Sequence, residues 1–129
     1  MAVFSLGAVE NLNPDGSFHS SSVVIRISNT TAAPLVPIIV NAYSAPGSPP
    51  TGTVSILYFT TTFALGAPNS VVTLTIPTVV PAYEIRVSSP VAAGFISAIS
   101  IEAQGKDAAG NNVPEHTFPS GDWESVSIV

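Results

Sequence analysis

The chain of 129 residues contains no cysteine and few charged side chains. Without cysteine it has no disulfide framework, no thiolate metal site and no cysteine nucleophile. Charged residues make up 9% of the sequence and hydrophobic residues 46%, whereas an average domain carries about 25% charged residues. Because uncharged apolar surfaces usually mark contacts with other molecules, this composition favours assembly over a free monomer coated in serine, threonine and asparagine.

Positive charge is especially scarce, since the cations are Arg26, Arg86 and Lys106 and the formal net charge is -5. Nucleic-acid binding by counterion release needs clustered basic groups, so we expect no nucleic-acid partner. The same count disfavours anionic membranes, and nowhere do about 18 apolar residues run uninterrupted to cross a bilayer. Residues 1–16 have neither a basic region nor a long apolar run, so we expect no classical signal peptide.

Apolar residues recur at every second position in several short segments, which is the period of a half-buried β-strand. The clearest case is the stretch 53–88, where the alternation predicts three strands and two turns. Further strands are predicted at 23–28, 35–43, 95–103 and 113–118 and at the C-terminus. Pro34 and Pro37 cannot donate to a ladder, so the 35–43 strand should lie at a sheet edge or begin after its prolines.

The pattern as a whole predicts an all-β fold. No segment keeps the 3.6-residue period over more than two turns, and the 12 prolines interrupt most helical candidates. Short strands separated by Pro, Gly and Asn turns indicate a two-sheet β-sandwich. A jelly roll is preferred over an immunoglobulin-like Greek key, because the Cys-Trp-Cys pattern is absent and Trp123 lies near the end of the chain. Residues 1–22 are interpreted as an N-terminal arm or a first strand, and residues 23–129 as a single β-sandwich domain.

No motif in the sequence names a reaction, so we expect a non-enzymatic protein without a cofactor or metal. His19 and His116 fall in polar, loop-like segments, and neither has a second histidine at ligand spacing. Serine is plentiful, but a Gly-x-Ser-x-Gly elbow is absent. A triad of a serine with His116 and Asp122 has no feature that separates it from an ordinary polar loop.

Two acids fall on predicted strands, Glu84 and Glu102, each on the face opposite its apolar neighbours. A glycosidase would need them roughly 5 to 10 Å apart in a cleft. We interpret Glu84 instead as solvated, or as the cross-strand neighbour of a cation such as Arg26. Residues 106–111 offer oxygen ligands but lack the alternating acids of a calcium loop, so a polar turn is predicted there.

Three groups of segments resemble small proteins of spore-forming bacteria and are similar to the jelly-roll subunits of endospore appendage fibres. The segments are LYFTTTFALG at 57–66 with VTLTIP at 72–77, AYEI at 82–85, and GKDAAGN at 105–111. The resemblance implies a pilin-like subunit that stacks by strand addition, extends an N-terminal arm into its neighbours and is released to an extracellular or spore surface by lysis. Such subunits lock their fibre with cysteines. This chain has none, so burial and strand pairing would have to hold its fibre.

The physical case for assembly is independent of that resemblance. A sandwich has edge strands, which soluble monomers protect with lysine, charge or bulges, and this chain has a single lysine. An arm donated to such an edge gains affinity from main-chain hydrogen bonds and register from alternate side chains. The predicted subunit interface consists of apolar residues in the arm and two residues that break the alternation at the start of the 53–88 stretch: Phe4, Leu6, Val9, Leu12, Leu57 and Phe59.

We therefore expect a structural subunit whose partners are copies of itself. A contact that does not close on itself generates a filament, and one that closes generates a ring or a trimer. The alternative is a non-enzymatic binding module, such as a trimeric jelly-roll head or a capsid decoration protein that recognises a glycan or a surface.

Overall fold

A computed structural model describes residues 2–45, 55–66, 68–89 and 99–126. In these ranges ten strands form two antiparallel sheets. The strands are β1 (Ala2–Ser5), β2 (Val9–Glu10), β3 (Ser22–Asn29), β4 (Leu35–Ala45), β5 (Ile56–Leu65), β6 (Val71–Pro77), β7 (Ala82–Ser89), β8 (Ile99–Lys106), β9 (Asn112–Phe118) and β10 (Glu124–Val126). The six-stranded sheet has the order β10-β1-β7-β4-β5, with β2 also paired to β7, and the four-stranded sheet has the order β6-β3-β8-β9. The predicted all-β, two-sheet sandwich is confirmed, whereas the preference for a jelly roll stays a prediction.

The core lies between the two sheets and follows from the alternation along each strand. In β3, Ile25 and Ile27 are fully buried while Arg26 between them is exposed. In β7, Ile85 and Val87 are buried in the same cluster from the opposite sheet. Burying one such side chain contributes about 1.5 to 3 kcal/mol, so the shared core is the main source of stability.

Strand β4 lies inside the six-stranded sheet, between β5 and β7. The predicted edge position of the 35–43 strand is therefore wrong. The other alternative describes the pairing better, because the ladder with β7 begins at Ile39 and the ladder with β5 is irregular between Leu35 and Ile38. Pro37 thus precedes the part of β4 that is paired on both sides, where its missing N–H removes no ladder bond.

The N-terminal segment is part of the sandwich in this chain. Strand β1 lies between β7 and β10 and is antiparallel to both, and β2 pairs with β7. The backbone N–H of Asn11 then donates to the Pro81 carbonyl at 2.8 Å. A turn follows in which the Gly16 N–H donates to the Asn13 carbonyl at 3.0 Å, with Gly16 at φ 89°. Residues 2–5 therefore fill the position between β7 and β10 in the sheet of their own chain.

The turn between β8 and β9 has the polar chemistry predicted for residues 106–111. One carboxylate oxygen of Asp107 accepts hydrogen bonds from the N–H groups of Ala109 and Asn111, both at 2.9 Å. Gly110 adopts φ 86°, which glycine reaches without strain. Asp107 thus organises a tight hairpin, and the prediction of a turn is confirmed.

Some sequence-based predictions fall outside the described ranges. They concern residues 53–54 at the start of the central stretch, residues 95–98 of the predicted 95–103 strand, and residues 127–129 of the C-terminal strand. The remainder of the 95–103 strand is present as the beginning of β8, which continues to Lys106.

Candidate functional site

Two edge strands, β5 with ten residues and β6 with seven, lie on the same side of the sandwich. Within the described ranges β5 pairs only with β4, and β6 only with β3. The Tyr58 hydroxyl of β5 donates to the Pro77 carbonyl of β6 at 2.6 Å, which joins the two edges. Burial raises the pKa of Tyr58 to about 12, so its hydroxyl keeps its proton at neutral pH. We call β5 and β6 together the open side.

The open side carries no charge at all. The sequence has no Asp, Glu, Lys or Arg from Ile27 to Tyr83, a stretch that includes β4, β5 and β6. Edge strands are usually protected by charges, prolines, bulges or short length. Here the single proline of the two strands is Pro77, the last residue of β6. The pairing of β5 with β4 is regular from Phe59 to Phe63. The part of this edge from Phe59 to Phe63 is therefore a ready template for another strand.

Exposed apolar side chains are concentrated near the same edges. Six large hydrophobic residues are exposed in the described part of the chain, and three of them lie on β5 or β6. These are Ile56 at 61%, Leu57 at 49% and Val71 at 55% exposure, while Val79, at 59%, follows β6 by two residues. Apolar groups at a sheet edge add burial to the main-chain bonds that an incoming strand would make.

The opposite side of the sandwich is formed by β9 and β10, and we call it the guarded side. Strand β9 contains the exposed Pro114 and Glu115 in succession. Strand β10 has only three residues and begins with the exposed Glu124. A 3-10 turn at Ser120–Asp122 connects the two strands. Proline, charge and short length are the features by which natural proteins block pairing at an edge.

The predicted interface residues of the N-terminal arm lie in three environments. Phe4 is buried in the core with 5% exposure, and Leu6 and Val9 pack, partly buried, against the same core. Leu12 is exposed at 39%. Phe4 therefore already fills a site in its own chain, and contact of these four residues with another subunit stays a prediction.

The two predicted interface residues of β5 face different ways. Leu57 pairs with Tyr43, whereas Phe59 pairs with Ala42, so Tyr58 has no direct partner on β4. This irregularity explains why both Leu57 and Phe59 break the sequence alternation. Leu57 is half exposed, while Phe59 is partly buried against the core. The contact of either residue with another subunit stays a prediction.

A buried polar cluster ties the N-terminal segment to β7 and β9. The Nδ1 atom of His116 lies 2.6 Å from Ser20 Oγ and 3.0 Å from the Tyr83 hydroxyl. The Asn11 amide donates to the carbonyls of Ser20 and Thr78, and its oxygen accepts from the Ser20 N–H. All five side chains are buried. Because buried polar groups are costly unless paired, this network fixes the segment in place.

His116 lies on β9, which matches the predicted 113–118 strand, and it is buried, so only the description of its segment as polar and loop-like is wrong. Burial lowers its pKa, so the imidazole is neutral near pH 7. A Cβ atom on Gly105 would lie 2.6 Å from His116 Cβ and closer still to Ser20 Oγ. Only glycine fits there, and a glycine inside strand β8 was the sequence signal for this close approach.

The Ser20 and His116 pair looks like half of a catalytic triad, but its surroundings fit a structural role. The Ser20 side chain has no exposed surface, and the Tyr83 hydroxyl competes for the same ring nitrogen. In a triad an acid orients the ring from its other nitrogen. Asp122 is exposed on the 3-10 turn and is not among the hydrogen-bond partners of His116 in the described ranges.

The outer face of the six-stranded sheet carries an ion pair within β7. Arg86 Nε lies 3.0 Å from Glu84 Oε2, and Ser5 Oγ donates to the same oxygen at 2.8 Å. Burial opposes the charge on Glu84, but the hydrogen bonds from Arg86 and Ser5 and the charge of Arg86 lower its pKa overall. The Arg86 guanidinium also lies 4.9 Å from the centre of the Tyr43 ring.

Glu84 therefore pairs with Arg86, and the suggested pairing with Arg26 is wrong. Arg26 belongs to the four-stranded sheet, where it lies opposite Glu102. Glu84 and Glu102 are consequently on different sheets, and they do not flank a common cleft as a glycosidase pair would.

A shallow depression of about 500 Å³ lies on the outer face of the four-stranded sheet. Gln104 is fixed in it, because its amide donates to the Val113 carbonyl at 3.0 Å and its oxygen accepts from Thr117 at 2.9 Å. The depression brings two of the chain's three cations to one surface. Its polar and aromatic lining includes Arg26, Glu102, Gln104, Lys106, Thr117 and Phe118.

Comparisons with known proteins supply no functional assignment for this chain. No protein-family model matches the chain, and neither a curated protein nor a solved structure shows significant similarity to it. Across the described residues, His, Cys, Asp and Glu form no group of three or more that would hold a metal ion. The same part of the chain has no helix of the length and hydropathy needed to span a membrane.

Proposed function

We propose that the protein is a structural subunit that self-assembles into a fibre by β-strand addition. The observation that carries the proposal is the contrast between the open side, which is uncharged and whose outer edges pair with no further strand among the described residues, and the guarded side. A soluble monomer gains nothing from leaving a ten-residue edge strand unprotected. In an assembly the same edge supplies the contact.

The open side has the means to hold a partner strand. Each main-chain hydrogen bond formed there contributes about 0.5 to 1.5 kcal/mol net. Covering Ile56 and Leu57, which are 61% and 49% exposed, adds apolar burial of roughly 1 kcal/mol for each side chain. Copies of the chain are suitable partners because a strand without charge meets no like charge in a second copy.

The N-terminal arm of the proposal is β1. In the single chain β1 occupies the slot between β7 and β10. Passing β1 to the equivalent slot of a neighbour preserves all of its pairings, and repetition from subunit to subunit gives an open-ended fibre. An extracellular or spore-surface setting belongs to the same proposal and is supported by the resemblance of the segments 57–66, 72–77, 82–85 and 105–111 to endospore appendage subunits.

Negative-stain microscopy and sedimentation velocity of the purified protein over a range of concentrations test the proposal. We expect filaments, or oligomers that grow with concentration. A protein that sediments as a folded monomer throughout contradicts the proposal.

Deletion of residues 1–6 tests the arm separately, because it removes β1 while keeping Asn11 and Ser20 of the buried polar cluster. We expect filaments to be lost and a synthetic peptide of residues 1–8 to bind the truncated protein. If the truncated protein still forms the same filaments, arm exchange is wrong and assembly through the open side remains.

The depression on the four-stranded sheet favours a second candidate, a binding module for a glycan or a surface. Its guanidinium, amide and hydroxyl groups beside Phe118 are the group types that hold sugar hydroxyls and rings. A glycan array probed with the intact protein tests this candidate. Binding that falls at least about tenfold, or about 1.4 kcal/mol, in Arg26→Ala and is retained in Thr62→Ala, on the other sheet, would support it.

A further inference from the structure

We infer that two copies of the chain join through β5, paired antiparallel to β5 of the partner about a twofold axis centred on Thr61. The inference rests on the proposed function for its premise that the open side is a contact surface. The five central residues of β5, at 59–63, are Phe-Thr-Thr-Thr-Phe. This sequence reads the same in both directions, so an antiparallel pairing centred on Thr61 places each of its residues opposite a residue of the same kind.

The side chains of this segment alternate between the two faces of the sheet. Phe59 and Phe63 pack against the core, and Thr61 lies opposite the fully buried Val40 of β4. Thr60 and Thr62 are exposed on the outer face. The segment therefore offers three groups to the inner face and two hydroxyls to the outer face.

A twofold axis perpendicular to the sheet keeps the inner faces of both copies on the same side. Opposed residues of an antiparallel pair also share a face, so the axis must pass through a residue position. With the axis at Thr61, Phe59 lies opposite Phe63 of the partner subunit and Thr60 opposite Thr62 of the partner subunit. Thr61 then faces its own symmetry copy.

The neighbouring registers are less complementary. An axis at Thr60 places Phe59 opposite Thr61 of the partner subunit, and an axis at Thr62 does the same for Phe63. Either shift breaks the aromatic pairs, which are among the favourable cross-strand contacts. Because the stretch from Ile27 to Tyr83 has no charged residue, no like charges face each other in the preferred register. The twofold contact makes one sheet continuous through both subunits.

This contact is isologous and closes on itself, so it forms a dimer and not a fibre. Growth beyond the dimer requires a second contact, and the exchange of β1 at the far edge of the same sheet supplies one. The repeating unit of the fibre is then a dimer with twofold symmetry.

Cysteine cross-linking reads the register directly, since the native chain has no cysteine and hence no background. Directly opposed residues have Cα atoms about 4.5 to 5.5 Å apart, within the disulfide range of about 4.4 to 6.8 Å. Residues displaced by two positions are offset by about 6.8 Å along the strand as well, which is too far. On oxidation, Thr61→Cys should cross-link to itself, and Thr60→Cys should cross-link to Thr62→Cys in a mixture. Thr60→Cys alone and Thr62→Cys alone should stay uncross-linked.

A charge exchange provides an independent test on the exposed outer face. The double variant Thr60→Lys/Thr62→Lys places lysine opposite lysine in both halves of the contact, and we expect at least a tenfold weaker dimer by sedimentation equilibrium. Thr60→Glu/Thr62→Lys carries its charges at the same two sites but places glutamate opposite lysine, so dimerisation should be restored. Both sites are exposed, and circular dichroism will verify that both variants fold.

The outcomes separate this inference from the proposed function. Self-cross-linking of Thr61→Cys together with rescue by the charge exchange supports the twofold register. Equal cross-linking of all three single variants indicates non-specific association and overturns it. Filaments that form without any of the expected cross-links also overturn it but leave the proposed function intact. A protein that stays monomeric at every concentration contradicts both.

Discussion

The open and guarded sides belong to one sandwich and share one core, yet they differ in how far the backbone of their edge strands is protected from pairing with another strand. At the guarded side, Pro114 and Glu115 interrupt and charge β9, and β10 is a three-residue strand that begins with Glu124. At the open side, β5 has ten residues, and neither β5 nor β6 carries a charge. The low charge content of the chain is thus a local property, concentrated in the stretch from Ile27 to Tyr83. The features that block strand pairing lie on the guarded side, whereas the open side remains able to pair with another strand.

The largest effect on folding is expected on the guarded side, where β1 is held by Phe4. Phe4→Ala removes a side chain that is 5% exposed, so we expect a loss of about 3 to 5 kcal/mol in the free energy of unfolding. Leu12→Ala is the matched control in the same segment, because Leu12 is 39% exposed and should cost little. Urea denaturation measures both. Equal and small losses of unfolding free energy in both variants would mean that β1 is not anchored in the fold. The edge beside β1 would then be as accessible to another strand as β5 is.

The second prediction separates assembly from stability on the open side. Leu57→Asp changes a half-exposed residue on the outer face, so we expect assembly to be lost with the melting temperature nearly unchanged. Phe59→Asp removes a ring that packs against the core and places a charge there, so we expect the melting temperature to fall clearly as well. Sedimentation velocity and thermal unfolding of both variants provide the measurements. If Leu57→Asp assembles normally, the outer face of β5 at Leu57 takes no part in the contact between subunits.

A third prediction concerns pH and the guarded side, where His116 lies on β9. The pKa of His116 is lowered by burial, so the unfolded chain binds a proton at a higher pH than the folded one. The free energy of unfolding should therefore fall as pH drops below about 6.5, by at most about 1.4 kcal/mol per pH unit. Above that pH this contribution is constant.

His116→Asn should flatten this slope relative to the unmodified chain, at the cost of lower stability throughout. Urea titrations at a series of pH values between 5 and 8 provide the comparison. An unchanged slope in His116→Asn would assign the pH dependence to another group.

The smallest effect on folding is expected when the proline and the charge that block pairing at β9 are removed. This change tests the contrast between the guarded and open sides directly. Pro114→Val with Glu115→Thr gives β9 the character of the open side, and because both positions are exposed, the change in stability should stay within about 0.5 kcal/mol. We expect additional association through β9, seen as bundled or branched assemblies by microscopy. Glu102→Thr removes the same charge from a strand inside the sheet and should leave the assembly unchanged. If both variants behave alike, charge loss and not edge exposure controls association.

The period-2 alternation predicted the sandwich because a strand's pattern fixes which side chains are buried. It did not predict partners, since the pattern of one strand says nothing about the sheet to which the strand belongs. Glu84 illustrates this limit: its partner is Arg86 on the same strand, whereas Arg26 lies in the other sheet. The candidate site was only partly predictable for the same reason. Leu57 and Phe59 were recognised as irregular, but their opposite orientations depend on how β5 pairs with β4 around Tyr58.

His116 was missed for a different reason. Its neighbours Pro114, Glu115 and Thr117 give the segment a polar, loop-like composition. The groups that offset the cost of burying its imidazole come from distant positions in the sequence. Ser20 and Tyr83 satisfy its ring nitrogen, and Gly105 provides the space. Such a network becomes visible only when the chain is folded, although a glycine inside a strand is a hint that something packs closely against it.

The pairing of β1 with β10 has a practical consequence for attaching other molecules to this chain. Val3 lies directly opposite Val126, so the first and last described strands are neighbours at the edge of the sheet farthest from β5. A fluorescent protein or an enzyme attached through a flexible linker directly after Val126 would start from that edge, on the side of the sheet away from β5. If the proposed β5 pairing forms, chains carrying such cargo should still pair, which would make the chain a scaffold for display.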